Sequence, residues 1–167
     1  FTYDAALAAA NMEIRDPSGL PQAIRLENDR QLQCISCHDP HDDTYGHFLV
    51  MDNTASALCT ACHDETGWLS SAHANSDAVL DRTGGLWPNN DYATVAENAC
   101  ENCHIPHSAG IHERLLYFVF EEDNCLACHD GGVADTDIAA VISRPHNHPV
   151  QNFTGVHDAA EDFTTGS

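Results

Sequence analysis

Four times in this chain, two cysteines stand two residues apart and a histidine comes directly after. The four runs are Cys34-Ile-Ser-Cys37-His38, Cys59-Thr-Ala-Cys62-His63, Cys100-Glu-Asn-Cys103-His104 and Cys125-Leu-Ala-Cys128-His129, and all eight cysteines fall in them. On a helical turn, residues three and four apart share a face. Both thiols of a run can therefore reach the two vinyl groups of one porphyrin, and the next imidazole can meet its iron as the proximal ligand. Two four-cysteine zinc sites would leave the four histidines unexplained. Four disulfides across two-residue spacers would be strained rings. Thioredoxin-like pairs would need a βαβ setting, of which there is no sign. The sequence points to four covalent haem c groups. Cys34, Cys37, Cys59, Cys62, Cys100, Cys103, Cys125 and Cys128 hold them, and His38, His63, His104 and His129 are the proximal ligands.

Four haems would also supply an interior. With six Phe, two Trp and two Met in 167 residues, a core of side chains alone would be thin. Haems are large apolar plates on which short segments can pack. The expected fold is a multihaem cytochrome c with a haem-packed core. It is mostly coil, with short α-helices at the haem motifs and a few short strands.

The chain repeats itself. A shift of 66 residues carries Cys34, Cys37, His38, Pro40 and His41 onto Cys100, Cys103, His104, Pro106 and His107, and Cys59, Cys62, His63 and Asp64 onto Cys125, Cys128, His129 and Asp130. It also sets Leu49 on Leu115, with no gap needed between these landmarks. The organisation read from this is a lead-in over 1–33, a two-haem module over 34–64, a linker over 65–99, a second module over 100–130 and a tail over 131–167. Together they make a single compact tetrahaem domain. Gly84-Gly85 and Pro88-Asn89-Asn90 are turn signals in the linker. Asp4 can cap a helix over Ala5–Arg15, which Asp16-Pro17-Ser18-Gly19 stops. Asp91 can cap a helix through Ala93–Ala99 into the third motif. His47–Met51 and Leu115–Phe120 read as short strands.

A second histidine stands three residues after the first and third proximal ligands. His41 and His107 face away from the irons of their own motifs, because the distal face of a haem points away from its attachment turn. Each can reach a neighbouring haem instead. Of twelve His, eight remain after the proximal four, so every iron can be bis-histidine. His41, His73, His107 and His148 are the first choices as distal ligands; His47, His112, His146 and His157 are reserves. Met12 and Met51 are weaker alternatives, and surplus His makes the haems low-potential.

These residues resemble the multihaem c-type cytochromes with doubled CXXCH motifs. The paired modules carry the likeness, together with His148-Pro149-Val150, which looks like the distal-ligand segment of that family. The match covers residues 34 to 150. Four haems on a short, acidic, coil-rich chain are similar to the extracellular cytochrome nanowires. That resemblance implies head-to-tail polymers, haems stacked in parallel and perpendicular pairs, and a distal His supplied by the neighbouring subunit.

Charge narrows the partners. Twenty-six Asp and Glu face six basic residues, all Arg (Arg15, Arg25, Arg30, Arg82, Arg114 and Arg144), for a net charge of −20. Such a surface repels nucleic acid and anionic membrane. It suits basic redox donors and acceptors, metal oxides and divalent cations. No apolar run is long enough to span a membrane. The start at Phe1 reads as a mature product whose signal peptide has been removed, placing the chain outside the cell or at its surface, with the periplasm as alternative. Asn152-Phe153-Thr154 is a glycosylation sequon. The expected role is electron transfer by a repeating filament subunit, the alternative a monomeric periplasmic shuttle. A multihaem reductase is disfavoured, because surplus His closes the axial positions and no CxxCK motif exists.

Overall fold

A computed structural model describes residues 3, 5–10, 13–28, 30–81, 87, 91–107 and 113–145. Met12, His112, His146, His148, His157 and Asn152 lie outside the described residues, as do Asp4, Gly84-Gly85 and Pro88-Asn89-Asn90. The chain packs as two units, Phe1–Asn102 and Cys103–Ser167.

In the first unit α1 (Ala5–Ala10) is an alanine-rich turn and a half. The sequence suggests helix to Arg15. Instead Glu13–Arg15 is extended and bonds across to the second motif, Asp64 N–H to the Glu13 carbonyl at 2.8 Å and Arg15 N–H to the Cys62 carbonyl at 2.9 Å. Arg15 fixes the pairing through Thr60 O at 3.0 Å and Asp64 at 2.7 Å. A helix this short is marginal alone, so tertiary pairing takes its last turn. Asp16-Pro17-Ser18-Gly19 therefore does not end the helix; Asp16 instead caps a separate 3-10 turn, Pro17–Gly19.

The helical turns α2 (Cys34–Cys37) and α3 (Ala57–Thr60) carry the first two motifs. α4 (Val95–Asn98) runs into a 3-10 turn, Ala99–Asn102, at the third. Its cap is Thr94, not Asp91. Thr94 accepts from Glu97 N–H at 3.2 Å while the Glu97 carboxylate accepts from Thr94 N–H at 3.1 Å, a reciprocal capping box. Segment 76–80 pairs alongside, with Leu80 N–H to Ala93 O at 3.0 Å and Val95 N–H to Ala78 O at 2.9 Å. This pairing buries Leu80 and Val95. With Tyr3, Ile24, Trp87 and Ala99 they are the buried apolar residues among those described.

In the second unit α5 (Glu121–Leu126) carries the fourth motif, and α6 (Ile138–Ile142) comes after it, capped by Asp137. Mostly coil with short helices at the motifs is the observed architecture. The expected strands are not formed: among the described residues the chain makes isolated antiparallel bridges only. Two of them revise the repeat. His38 bridges Leu49 and His104 bridges Leu116, so Leu49 matches Leu116, not Leu115. The second unit therefore has one residue more before this point and one fewer after it. The consecutive left-handed residues agree, His47 and Phe48 (φ 52° and 57°) in one copy and Arg114 and Leu115 (φ 53° and 58°) in the other.

Candidate haem-attachment turns

The first, second and fourth motifs each fold as one tight helical turn, and the third opens on the 3-10 turn Ala99–Asn102. The proximal-histidine N–H reaches back to the carbonyl of the first cysteine at 2.9 Å for His38, 2.9 Å for His63 and 3.0 Å for His129. This i to i+4 bond brings both thiols and the imidazole to one side.

A returning segment then closes the turn. At the first motif Val50 N–H donates to Cys37 O at 3.0 Å and Asp39 N–H to Phe48 O at 2.7 Å; at the third, Tyr117 N–H donates to Cys103 O at 3.1 Å and Ile105 N–H to Leu115 O at 2.6 Å. The second motif is closed the same way, but by Glu13–Arg15 from the N-terminal side, with Ile14 bridging His63. An aliphatic residue thus faces each of the first three proximal histidines: Ile14, Leu49 and Leu116. The fourth motif is closed from its C-terminal side, by Ala134 N–H to Cys128 O at 2.9 Å and Ile138 N–H to His129 O at 2.9 Å. Gly131 makes that turn at φ 91°, a conformation that favours glycine.

The return segment also sets the imidazole. His38 Nδ1 lies 2.9 Å from the His47 carbonyl, His104 Nδ1 2.7 Å from the Arg114 carbonyl and His129 Nδ1 3.1 Å from the Thr136 carbonyl. A carbonyl only accepts, so Nδ1 carries the proton and Nε2 keeps its lone pair for a metal. Second-sphere bonds of this kind orient histidine ligands at metal centres.

All eight thiols are unbridged. Among the described residues, which include every cysteine, no three His, Cys, Asp or Glu side chains are grouped to hold a metal ion. Apolar side chains stand uncovered beside the motifs: Leu32 and Ile35 at the first, Val119 and Phe120 before the fourth, and Phe48 and Leu115 at the same repeat position. An open cleft of about 330 Å³ flanks His63, where Trp68 and Leu69 stand among the polar Arg15, Asp64 and Glu65. Paired thiols, an oriented Nε2 and bare apolar walls fit a covalently held haem. The Cys and His of each run would hold it, and when bound it supplies one-electron iron chemistry.

The thiols also report on one another. Cys59 and Cys100 share a hydrogen bond, which pushes Cys59 up and holds Cys100 down at about 7. Burial raises Cys62, and the nearby Cys37 adds to it. Burial pushes Cys128 up to about 11, with Cys103 contributing.

Of the distal candidates, His41 and His107 are exposed in turns after Pro40 and Pro106, and Asp39 accepts from His41 N–H at 3.0 Å. His73 begins a 3-10 turn, His73–Asn75, packed against α4, the lead-in to the third motif. His47 does something the sequence does not suggest: its backbone carbonyl holds His38, and its Nε2 meets Asp91 at 2.9 Å. Arg114 takes the same place in the second copy and pairs with Glu121 at 2.8 Å.

Sequence reasoning also missed the buried polar residues. Asn102 donates to Val95 O at 2.7 Å and Ala99 O at 2.8 Å, and accepts from Asn98 at 2.8 Å. Asn124 donates to Phe120 O at 3.0 Å beside Cys125. The i, i+4 spacing of Asn98 and Asn102 around a helical motif was the available signal.

The doubled CXXCH motif family matches this chain twice, at residues 28–67 and 93–134. No curated protein and no solved structure shows a significant match.

Proposed function

We propose, for a chain whose two doubled CXXCH motifs mark it as a multihaem c-type cytochrome, that it transfers electrons through four covalently bound bis-histidine haems. The observation that carries this is the anchoring of proximal Nδ1 atoms on backbone carbonyls, which leaves Nε2 for iron at His38, His104 and His129. The chain's own part is structural. It fixes the tautomer, holds the sulfurs and presents apolar walls. Electron transfer needs no open axial position, and His41, His73, His107 and His148 suffice as distal ligands. No role as an enzyme is proposed.

Within that reading the chain is the repeating subunit of an extracellular filament, passing respiratory electrons from a redox donor to an external acceptor such as a metal oxide. Two things support it: the resemblance to cytochrome nanowires and the surplus of histidine. Divalent cations offset the repulsion between subunits of charge −20. Among the described residues no helix is long and apolar enough to cross a membrane.

Intact mass of the denatured holoprotein is the first test. Four added haems are expected; fewer would overturn the tetrahaem reading. Stoichiometric carbon monoxide binding by the reduced protein would overturn bis-histidine ligation. Negative-stain electron microscopy of the haem-bearing material then separates long filaments from the small monodisperse particles of a periplasmic shuttle.

A further inference from the structure

Arg15 reaches the second motif at three points. Its N–H donates to Cys62 O at 2.9 Å, its Nε to Thr60 O at 3.0 Å and its Nη2 to the Asp64 carboxylate at 2.7 Å. These partners lie inside the attachment turn, on its second cysteine and directly after His63. The start of the turn is held separately. Ser56, fully buried, accepts from Cys100 N–H at 2.9 Å and donates to Asn98 O at 3.1 Å. Arg15 is itself fixed, because its carbonyl accepts from the hydroxyl of buried Tyr3, and Tyr3 N–H donates to Arg30 O at 2.7 Å.

This clamp also places a charge. Asp64 directly follows the proximal ligand, so its carboxylate is a negative charge beside the second haem site. Among the described residues lining the cleft at His63, Arg15 is the one arginine, and Asp64 and Glu65 oppose it. Two directed bonds, one to a carbonyl and one to a carboxylate, hold the planar guanidinium in place, a fork that a lysine ammonium cannot copy. At the fourth motif Asp130 holds the equivalent position and accepts instead from Gly132 N–H at 2.9 Å. The Arg15 and Asp64 side chains are 44% and 58% exposed, so the pair contributes little to stability. Beside a redox centre the same charges act on a different quantity. Ferric haem carries one positive charge more than ferrous haem, so a lone carboxylate favours the ferric form and lowers the reduction potential, and a guanidinium beside it opposes that effect.

We propose that Arg15 tunes the potential of the second haem: clamped to the attachment turn, its guanidinium offsets the Asp64 carboxylate beside His63 and keeps this haem easier to reduce than that carboxylate alone would allow. This rests on the tetrahaem reading above and deepens it by giving one haem its own electrostatic control.

Redox titration of the holoprotein, followed through the NMR signals of the haem methyl groups, tests it. Contacts to the Cys59 and Cys62 protons assign the second haem. Arg15→Gln should lower the potential of that haem and leave the other three unchanged. The expected size at low salt is a threefold change in its ferric-to-ferrous ratio at fixed solution potential, about 28 mV. Asp64→Asn should raise the same potential, and the double variant should return it close to the native value. Both single shifts should shrink as salt rises, because the pair is exposed to screening. Unchanged potentials in both single variants, or a shift confined to another haem, would overturn the proposal with four haems still attached. A shift indifferent to salt would mark a distorted turn rather than a charge, and would overturn it too. An intact mass short of four haems would instead strike the underlying reading. Asp64→Asn leaves the bonds of Arg15 to Cys62 and Thr60 in place, and it carries the test alone where Arg15→Gln does not fold.

Discussion

His38 donates from Nδ1 to the carbonyl oxygen of His47 at 2.9 Å, and the segment that brings that carbonyl in is left-handed at two consecutive residues. Its counterpart at His104 is built from Arg114 and Leu115. The side chains at the anchoring position differ, but the backbone conformation does not. The return segment is therefore shaped to deliver a carbonyl.

If the carbonyl is what matters at position 47, the side chain there is dispensable and the backbone is not. His47→Gly keeps the carbonyl and suits φ 52°, so the haem at Cys34 and Cys37 should keep its low-spin spectrum. His47→Pro cannot adopt this φ and should release the imidazole. A ligand that loses such a bond is less basic, so the reduction potential of that haem should rise. A tenfold weakening of the bound ferric form corresponds to about 60 mV. Potentiometric titration with electron paramagnetic resonance reads both variants. Loss of low-spin signal in His47→Gly would instead make the His47 side chain an iron ligand.

The candidate cofactor and proximal positions stand out in the sequence because the spacing that covalent attachment needs is fixed. The helical turns at the motifs came from the same spacing. The closing segments were hidden, because one bridge per motif leaves no periodic pattern. Ile14 looks helical after an alanine-rich run, and only its pairing with His63 makes it extended. The misplacement of Leu49 on Leu115 had a similar origin: compensating one-residue changes leave the cysteines in register and shift only what lies between. Ser56 and Asn102 gave little signal because small polar residues usually mark surface turns; here they are buried ties.

Asn102 gives the second prediction. It is 9% exposed and serves two backbone carbonyls and the Asn98 amide. Asn102→Leu strands these groups away from water, and each buried unpaired group costs about 1–3 kcal/mol. A loss of about 3 kcal/mol is expected in denaturant titration of the holoprotein. Thr94→Ala, which only opens the capping box, should cost about 1 kcal/mol. Equal effects from the two would show that the Asn102 network adds nothing beyond an ordinary cap.

Tyr3 gives a pH dependence. It is 4% exposed, and its hydroxyl donates to Arg15 O at 2.5 Å, tying the N-terminal segment to the strip that closes the second motif. Burial pushes its pKa up to about 12 from 10.0. A raised pKa means that the fold favours the neutral phenol. Its contribution is complete below pH 10 and is lost as pH rises toward 12. The stability of the native chain should therefore fall more steeply than that of Tyr3→Phe across that window, and run parallel to it below pH 10. Parallel curves throughout would show that the hydroxyl makes no net contribution.

The last prediction concerns the histidines after the prolines. Pairing of Asp39 with Phe48 and of Ile105 with Leu115 fixes the chain direction after each proximal ligand, and His41 and His107 then emerge exposed at matching places. On the proposed tetrahaem reading, these two imidazoles would be distal ligands of neighbouring irons. His41→Ala and His107→Ala should each convert one haem of the four to a high-spin form that binds carbon monoxide when reduced, with all four haems still attached by mass. The double variant should convert two. A single variant that stays wholly low-spin would return that histidine to the surface and pass its place to one of the reserves, His47, His112, His146 or His157.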